Sequence, residues 1–375
     1  MKSEHPIQRS QLFSLSTIML LSPALRLYPY ASTALAGRAA WLSAALAALP
    51  MVLYLCLLSL VLEQRQAGEG LAELSLRLLG PRLGRGLLAL LSLWLLADAA
   101  FVLRSGADRF VSTIFPSSTS APFVLSMGLL AVIAALGSPR SLARVARLIQ
   151  PLLLGTLLIL FLVSFRSIRW ENLLPLTVYD LLPAIKGTFP LLDVLSLGLF
   201  LPCFLLEHVD AAPDDFRFSL IWLWGFSALM TLLAVAVLGV FGPELTLQLS
   251  KPFFTLVRNL VFFRSLERVE ALVVALWIFP DFLLSSLLLY AGQHSLRLCL
   301  GGDARYRGEK RLQMDKRRWL IPLCGALVIG LGLVLAPDSS SLSLLSERIV
   351  PAVNLGVCLL CPPLLYLALR VQKKT

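Results

Sequence analysis

The chain has few charged side chains. Lys, Arg, Asp and Glu make up only 15% of its 375 residues, 58% of the residues are hydrophobic, and the mean hydropathy is +0.82. A soluble domain is usually about a quarter charged, so this composition excludes a typical soluble domain and indicates a multi-span, mostly helical membrane protein. The net charge of +11 does not indicate nucleic-acid binding, because many basic residues fall in short segments between apolar stretches.

Histidine and cysteine are also scarce, with three and six residues. Cys358 and Cys361 form a lone C-x-x-C with no second cysteine pair and no nearby histidine, so we interpret them as small apolar filler. The sequence shows no nucleophile with a plausible base, no phosphate-binding loop and no metal-ligand spacing. We therefore expect neither an enzyme nor a protein with a metal or other cofactor.

Long apolar stretches dominate what is present. A helix needs about 20 apolar residues to cross the bilayer core, and these stretches are continuous and Leu-rich instead of alternating as barrel strands do. A single all-α transmembrane domain covering 1–375 is predicted, and its ten spans are 11–31, 40–62, 86–114, 121–138, 144–165, 186–208, 217–241, 266–296, 318–336 and 348–370.

The distribution of Lys and Arg predicts the orientation of the chain. When the N-terminus is placed in the cytoplasm, the segments on the cytoplasmic side hold most of the Lys and Arg residues, as the positive-inside rule requires. The segment "GGDARYRGEKRLQMDKRR" at 301–318 is the strongest single indication. We therefore expect both termini on the cytoplasmic side.

Two segments between spans are predicted to be helices that do not cross the membrane. In "LAELSLRLLG", residues 71–80, three leucines fall on one helical face, which predicts an amphipathic helix on the cytoplasmic surface that ends at Gly80-Pro81. Residues 251–263, "KPFFTLVRNLVFF", are too few to span and too apolar for a free loop. We expect this segment to be an outer helix lying over a vestibule.

The ten spans divide into two halves of five, at about 11–165 and 186–370. Because five is odd, the second half starts on the opposite side of the membrane, which predicts a five-plus-five inverted repeat. In such folds the first helix of each repeat is often discontinuous, and the ligand binds at the breaks.

Both first helices of the predicted repeats contain helix-disrupting residues. These residues are Pro23 and Pro29 in span 1, and Pro190, Gly198 and Pro202 in span 6. Interior proline removes a backbone hydrogen bond, although it also merely kinks many membrane helices. We predict that helices 1 and 6 are broken and that the ligand-binding residues are Ser22, Ala24, Leu25, Arg26, Asp193, Ser196 and Gly198.

Charged side chains inside the predicted spans are a further indication of function, because each costs about 2.5–3.5 kcal/mol at a helix centre on insertion scales. Arg26 lies halfway along span 1, Asp98 near the middle of span 3, and Asp193 early in span 6. Arg104 and Asp108 have the i,i+4 spacing of a helical ion pair. Either they pair with each other, or Arg104 belongs with Asp98 to a group of buried coupling charges.

Two roles for Arg26 stay open at this level. A guanidinium suits bidentate binding of a carboxylate ligand. Alternatively, Arg26 is a structural counter-ion for Asp98 or Asp193.

Several motifs, taken in order, resemble the B subunits of bacterial spore germinant receptors. They are "AGRAAWLSAALAALP" (36–50), "LAELSLRLLGPRLGR" (71–85), "FVLRSGADRF" (101–110), "WENLLPL" (170–176) and "KPFFTLVRNLVFFRSLERVEALVVALWIFPDF" (251–282). The last is the most specific, with a proline, an arginine, E-R-x-E and a tryptophan. The resemblance runs over most of the chain.

The resemblance implies membership of the amino acid–polyamine–organocation superfamily, with a LeuT-like inverted-repeat fold. It also implies a subunit of the spore inner membrane that senses nutrients, often amino acids, together with an A subunit and a lipoprotein C subunit. By the same resemblance, Pro252, Glu267, Arg268 and Glu270 form the outer helix and its gate. The acidic residues of this group alternatively cap the next helix, where the macrodipole favours them.

Two functional hypotheses follow, and neither involves nucleic acid. The first is a germinant-receptor subunit that binds a small nutrient, most simply an amino acid, near the breaks of helices 1 and 6 and signals to partner subunits. The alternative is an autonomous amino acid transporter that is coupled to protons through Asp98 or Asp193. A membrane scaffold without a ligand is a third, weaker hypothesis.

Overall fold

The computed structural model describes residues 6–66, 68–113, 115, 117–209, 215–249, 251–259, 276–301, 319–336 and 338–372. Apart from one isolated β-bridge between Ile7 and Val209, all regular structure within these ranges is helical. The α-helices in chain order, α1 to α13, are Arg9–Ala36, Ala40–Leu62, Leu71–Thr113, Ala121–Leu136, Pro139–Ser164, Leu181–Lys186, Phe189–Phe200, Asp215–Gln248, Pro252–Asn259, Ile278–Cys299, Leu320–Val334, Ser339–Leu344 and Val350–Gln372.

Six helical stretches of the described residues are long and apolar enough to cross a membrane by length and composition. The first of them, Arg9–Leu62, contains both α1 and α2, and two shorter apolar helices, α4 and α11, have 16 and 15 residues. These observations confirm an all-helical protein with several apolar helices. The count of ten spans stays a prediction.

Helix α1 passes through Pro23 and Pro29 as one α-helix of 28 residues, so the predicted break in the first span is wrong. Helix α1 packs against α5, α7, α8 and α10, and its middle is almost fully buried. Surrounding helices of this kind allow a membrane helix to tolerate the backbone hydrogen bonds that proline removes.

The sixth span changes its helical form without unwinding. Helix α7 ends at Phe200, and a 3₁₀-helix continues directly over Leu201–His208. Pro202 lies in the first turn of that 3₁₀-helix, so the helical form changes where proline removes a backbone N–H. The predicted break is therefore a tightening of the helix and not a gap in it.

Two long helices bend at a glycine that is followed by proline. Gly80 in α3 has φ 74° and Gly242 in α8 has φ 73°, a region that favours glycine because it lacks a Cβ atom. Pro81 and Pro243 follow them. In α3 the kink separates the short segment that begins at Leu71 from the long buried part of the helix.

Helices α3 and α10 pack along each other and form one wall of the core. Gly106 lies at this contact, since a Cβ atom added there would be 3.1 Å from Oδ2 of Asp281. The close approach brings charged side chains of the two helices together beside α1.

Candidate functional site

Five charged side chains meet in the interior and are called the charge cluster below. The members are Arg26 on α1, Asp98 and Arg109 on α3, Asp193 on α7 and Asp281 on α10. The last four are 3–6% exposed, and Arg26 is partly buried. Burying so many charges costs free energy, so buried charges in a membrane protein either pair with each other or have a functional role. The cluster is therefore the first candidate for a functional site.

Asp281 and Arg109 form a buried ion pair within the cluster. Arg109 Nη1 donates to Asp281 Oδ2 at 2.7 Å, and the hydroxyl of Ser22 donates to the other carboxylate oxygen. The guanidinium also lies over the ring of Phe254, 5.6 Å from its centroid. The predicted ligand residue Ser22 thus contacts a carboxylate of the protein.

Sequence reasoning did not identify either member of this pair. Asp281 follows "IFP" inside an apolar stretch, which is the same signal that revealed Asp98 and Asp193. Arg109 lies inside the predicted span 86–114, and α3, which extends to Thr113, keeps its side chain buried.

Arg26 contacts α3 and makes no ion pair within the described part of the chain. Its Nη1 donates to Ser105 Oγ, and its guanidinium lies 4.8 Å from the centroid of the Phe101 ring. Its Nε is buried without a hydrogen-bond partner. The predicted direct pair with Asp98 or Asp193 is therefore not formed, because Ser105 and Phe101 hold the guanidinium towards α3.

Asp98 and Asp193 share one amide. Trp94 Nε1 donates to Asn354 Oδ1 at 2.7 Å, and because an indole N–H can only donate, the amide nitrogen of Asn354 is left to face the carboxylates. The amide group of Asn354 lies beside both Asp98 and Asp193. Asp193 Oδ1 nevertheless remains buried without a partner.

The proposed pair of Arg104 and Asp108 is wrong. Arg104 Nη2 donates to the backbone oxygen of Ala336 at 3.0 Å, whereas Asp108 accepts from Lys251 at 3.2 Å. The side chains diverge because each finds a partner in a segment packed against α3.

Burial lowers the pKa of Lys251, which lies between α8 and α9.

The other predicted residues have simpler environments. Ala24 and Leu25 are buried in the apolar core, and Ser196 Oγ donates to the backbone oxygen of Asp193 at 2.9 Å. Gly198 allows close packing, since a Cβ atom there would collide with Leu20 and Trp222. Of the predicted gate, Pro252 is buried at the start of α9. The remaining gate residues lie outside the described ranges, namely Glu267, Arg268 and Glu270.

A second, partly buried group is called the terminal network below, and it joins α3, α10 and the 3₁₀-helix after α7. His294 Nε2 lies 2.7 Å from Glu73 Oε1, and Tyr290 donates its hydroxyl to Glu207 at 3.1 Å. Glu73, Glu207 and His294 lie close enough to be metal ligands. However, Arg297 Nη2 donates to His294 Nδ1 at 2.8 Å, so Nε2 carries the proton and donates to Glu73. These contacts form a hydrogen-bonded network that holds the helices together.

Comparisons with known proteins found a match to a family model and a similarity to a solved structure. A family model described as spore germination protein matches residues 6–305. Among solved structures, the chain is similar to the substrate-bound, outward-open state of a Na⁺-coupled sialic acid symporter, with 13% sequence identity and a TM-score of 0.58 over 96% of this chain and 79% of that chain. No curated protein sequence matches. The structural likeness shows that the two chains share a fold.

Proposed function

The chain belongs to the spore germination protein family, and from that premise we propose that it is the membrane subunit of a spore germinant receptor which binds an amino acid at the charge cluster. Its apolar helices, together with this family, identify it as an integral membrane protein. Binding of the nutrient triggers germination together with A and C subunits in the spore inner membrane. Both termini face the spore core.

One observation carries the proposal: the cluster holds an unused cationic donor and an unused anionic acceptor. Arg26 Nε and Asp193 Oδ1 are both buried without partners. Leaving such groups unsatisfied costs about 1–3 kcal/mol each, and a ligand that satisfies both recovers this cost. An α-amino acid carries a carboxylate, which suits a guanidinium, and an ammonium group, which suits Asp193.

The position of these two residues also supports the proposal. Arg26 and Asp193 lie on predicted spans 1 and 6, which would be the first helices of the two halves if the predicted ten-span inverted repeat is present. Since α1 continues through its prolines, the ligand in this proposal is held by side chains and not by freed backbone groups. A nutrient triggers germination only if it binds one conformation more tightly than another.

The test is a germination assay over a panel of amino acids, in spores that lack other nutrient receptors. Arg26→Ala and Asp193→Ala are compared with Arg166→Ala and Glu171→Gln, which change exposed charges. We expect the first two variants to lose the response at normal protein level and the two controls to retain it. An unchanged response in Arg26→Ala and Asp193→Ala spores with normal protein level would overturn the proposal.

The similarity in fold to a symporter favours a second function, an autonomous proton-coupled amino acid transporter. Asp98 and Asp193 would carry the proton, since they are adjacent carboxylates that share Asn354. This function predicts uptake by the purified chain in proteoliposomes, driven by a pH gradient. Uptake that is unchanged in Asp98→Asn and Asp193→Asn would exclude the proton role, and absence of uptake would exclude transport.

A further inference from the structure

A cavity of about 490 Å³ lies apart from the charged groups of the cluster, at the end of the protein that holds the N-terminus. Its walls come from the start of α1, the end of α2, the end of α7 with the following 3₁₀-helix, and the start of α8. Ligand pockets in proteins commonly have volumes of about 300–1,000 Å³, so the space is large enough for a substantial ligand.

The walls of the cavity are mainly apolar over their whole depth. On α2 the lining runs from Leu55 to Leu62, two turns along one face, and on the opposite side it includes Leu199 and Leu206. Trp222 lies at the inner end, where its indole donates to Thr17 at 3.1 Å. Against these mainly apolar walls a polar nutrient would lose more hydration than it gains in partners, so the cavity suits a hydrocarbon chain.

The mouth of the cavity combines aromatic rings with basic side chains. Phe13 and Phe218 meet edge to face there, 5.8 Å between centroids, and both are only partly buried. Arg9 and Arg65 also line this end, and Arg65 is held in place by donating to the backbone oxygen of Leu206 at 2.6 Å. Among the lining residues that the structure describes, Glu63 is the one acidic side chain, against the two arginines.

The helices that flank the cavity expose apolar side chains to the surroundings. On α2 Leu53 is 74% exposed and Leu60 is 45% exposed, and on α8 Ile221 is 64% exposed. In an integral membrane protein such faces contact lipid. An apolar cavity beside a lipid-facing surface, with arginines at the predicted cytoplasmic boundary, matches the two parts of an anionic phospholipid.

We propose that this cavity binds one acyl chain of an anionic phospholipid of the surrounding bilayer, with the phosphate group at Arg9 and Arg65. The bound chain would contact Gly198 and Leu199, which lie about a turn and a half beyond Asp193 on α7. Lipid would thereby stabilise the helix that carries the proposed nutrient-binding carboxylate. The binding step itself requires no nutrient and is tested without one.

The test uses the purified full chain in phosphatidylcholine nanodiscs with a small fraction of phosphatidylglycerol brominated on its acyl chains. Bromine quenches tryptophan by contact, and the contribution of one tryptophan is the difference between the protein and its Trp→Phe variant. Trp222→Phe reports on the cavity, and Trp319→Phe is the matched control because Trp319 is 59% exposed. We expect Trp222 to be quenched well beyond the bulk fraction of brominated lipid and Trp319 only in proportion to it.

Two variants locate the acyl chain and the head group. Ser59→Phe fills the cavity and should abolish the excess quenching of Trp222; the hydroxyl that it removes only bonds within α2, to Cys56. Ser219→Leu is the second filling variant, should Ser59→Phe fail to fold. Arg65→Gln should reduce the preference for phosphatidylglycerol over phosphatidylcholine by about fivefold, whereas Arg166→Gln should not change it.

The proposal is overturned if Trp222 is quenched no more than the bulk lipid fraction, which would leave the cavity to a protein partner. Equal quenching by brominated phosphatidylglycerol and brominated phosphatidylcholine would overturn the assignment of an anionic head group. These outcomes are independent of germination, so they do not depend on whether the charge cluster binds an amino acid.

Discussion

The charge cluster and the terminal network are both charged and at least partly buried, but they differ in how completely they are hydrogen-bonded. In the cluster, Arg26 Nε, Arg109 Nη2 and Asp193 Oδ1 are buried without partners. In the terminal network, no buried side-chain atom of Glu73, Glu207 or His294 lacks a partner within the described ranges.

This difference separates two uses of buried charge. A fully satisfied group stabilises one arrangement of helices, which suits the contact between α3, α10 and the end of α7. A partly satisfied group is costly by itself, and the cost is recovered when a ligand supplies the missing partners. Four substitutions, at Asp281, Asp193, Glu73 and Lys251, distinguish these two uses of buried charge.

The largest effect is expected when the ion pair inside the cluster is broken. Asp281→Asn leaves Arg109 buried beside a neutral amide, and loss of one member of a buried pair costs about 3–5 kcal/mol. We expect a large drop in thermal stability of the purified protein and a low level in spores. Asp281→Asn combined with Arg109→Gln should recover most of the loss; a double variant no more stable than the single one would contradict the pairing.

A smaller effect, on ligand binding and not on stability, is expected for Asp193→Asn. The amide keeps an oxygen that can accept from Asn354, but it loses the charge that faces the ligand, a difference of about 1.5–3 kcal/mol. The amino acid concentration for half-maximal germination should rise by one to two orders of magnitude. Glu171→Gln, which changes an exposed carboxylate, is the control. Equal shifts in the two variants would mean that Asp193 is structural.

In the terminal network we expect an effect on stability and not on ligand binding. Glu73→Gln replaces a charge-assisted hydrogen bond to His294 by a neutral one, which costs about 1–2 kcal/mol. Thermal stability should fall, while the half-maximal amino acid concentration stays the same. A shift in that concentration at unchanged stability would show that the terminal network takes part in sensing. The distinction between a structural network and a ligand-binding cluster would then fail.

The smallest effect is expected at Lys251, next to the cluster. Burial lowers the pKa of Lys251 in the folded state, so in the alkaline range the unfolded chain holds more protons and stability gains from a rise in pH. Relative to Lys251→Gln, the protein should become more stable as pH rises through that range. Because the side chain is 31% exposed, the gain should stay below about 1 kcal/mol. If the stability of the protein relative to Lys251→Gln fell as pH rises, the lowered pKa of Lys251 would be contradicted.

Much of the candidate site could be found from the sequence because a charge inside an apolar stretch is conspicuous. Arg26, Asp98 and Asp193 were identified in this way, and all three lie in the cluster. Asn354 was not identified, since a neutral amide in an apolar helix gives no comparable signal. Its role depends on Trp94, which is 260 positions away in sequence.

The proline-based prediction failed for a related reason. A proline pattern records the loss of a backbone hydrogen bond, but not the neighbouring helices that let α1 remain continuous. Sequence therefore overestimated the disruption of span 1, and in span 6 it detected a change to 3₁₀ geometry without identifying it.

The class of protein and most of its helices follow from the sequence alone, because apolar length and internal backbone hydrogen bonding are local requirements of a chain in lipid. Its ordered motifs also indicated the family. The partners of the buried charges are set by helix packing: Arg26 donates to Ser105, and Arg109 pairs with Asp281. Such contacts depend on how helices far apart in sequence are rotated and packed against each other, which no pattern within a single helix specifies.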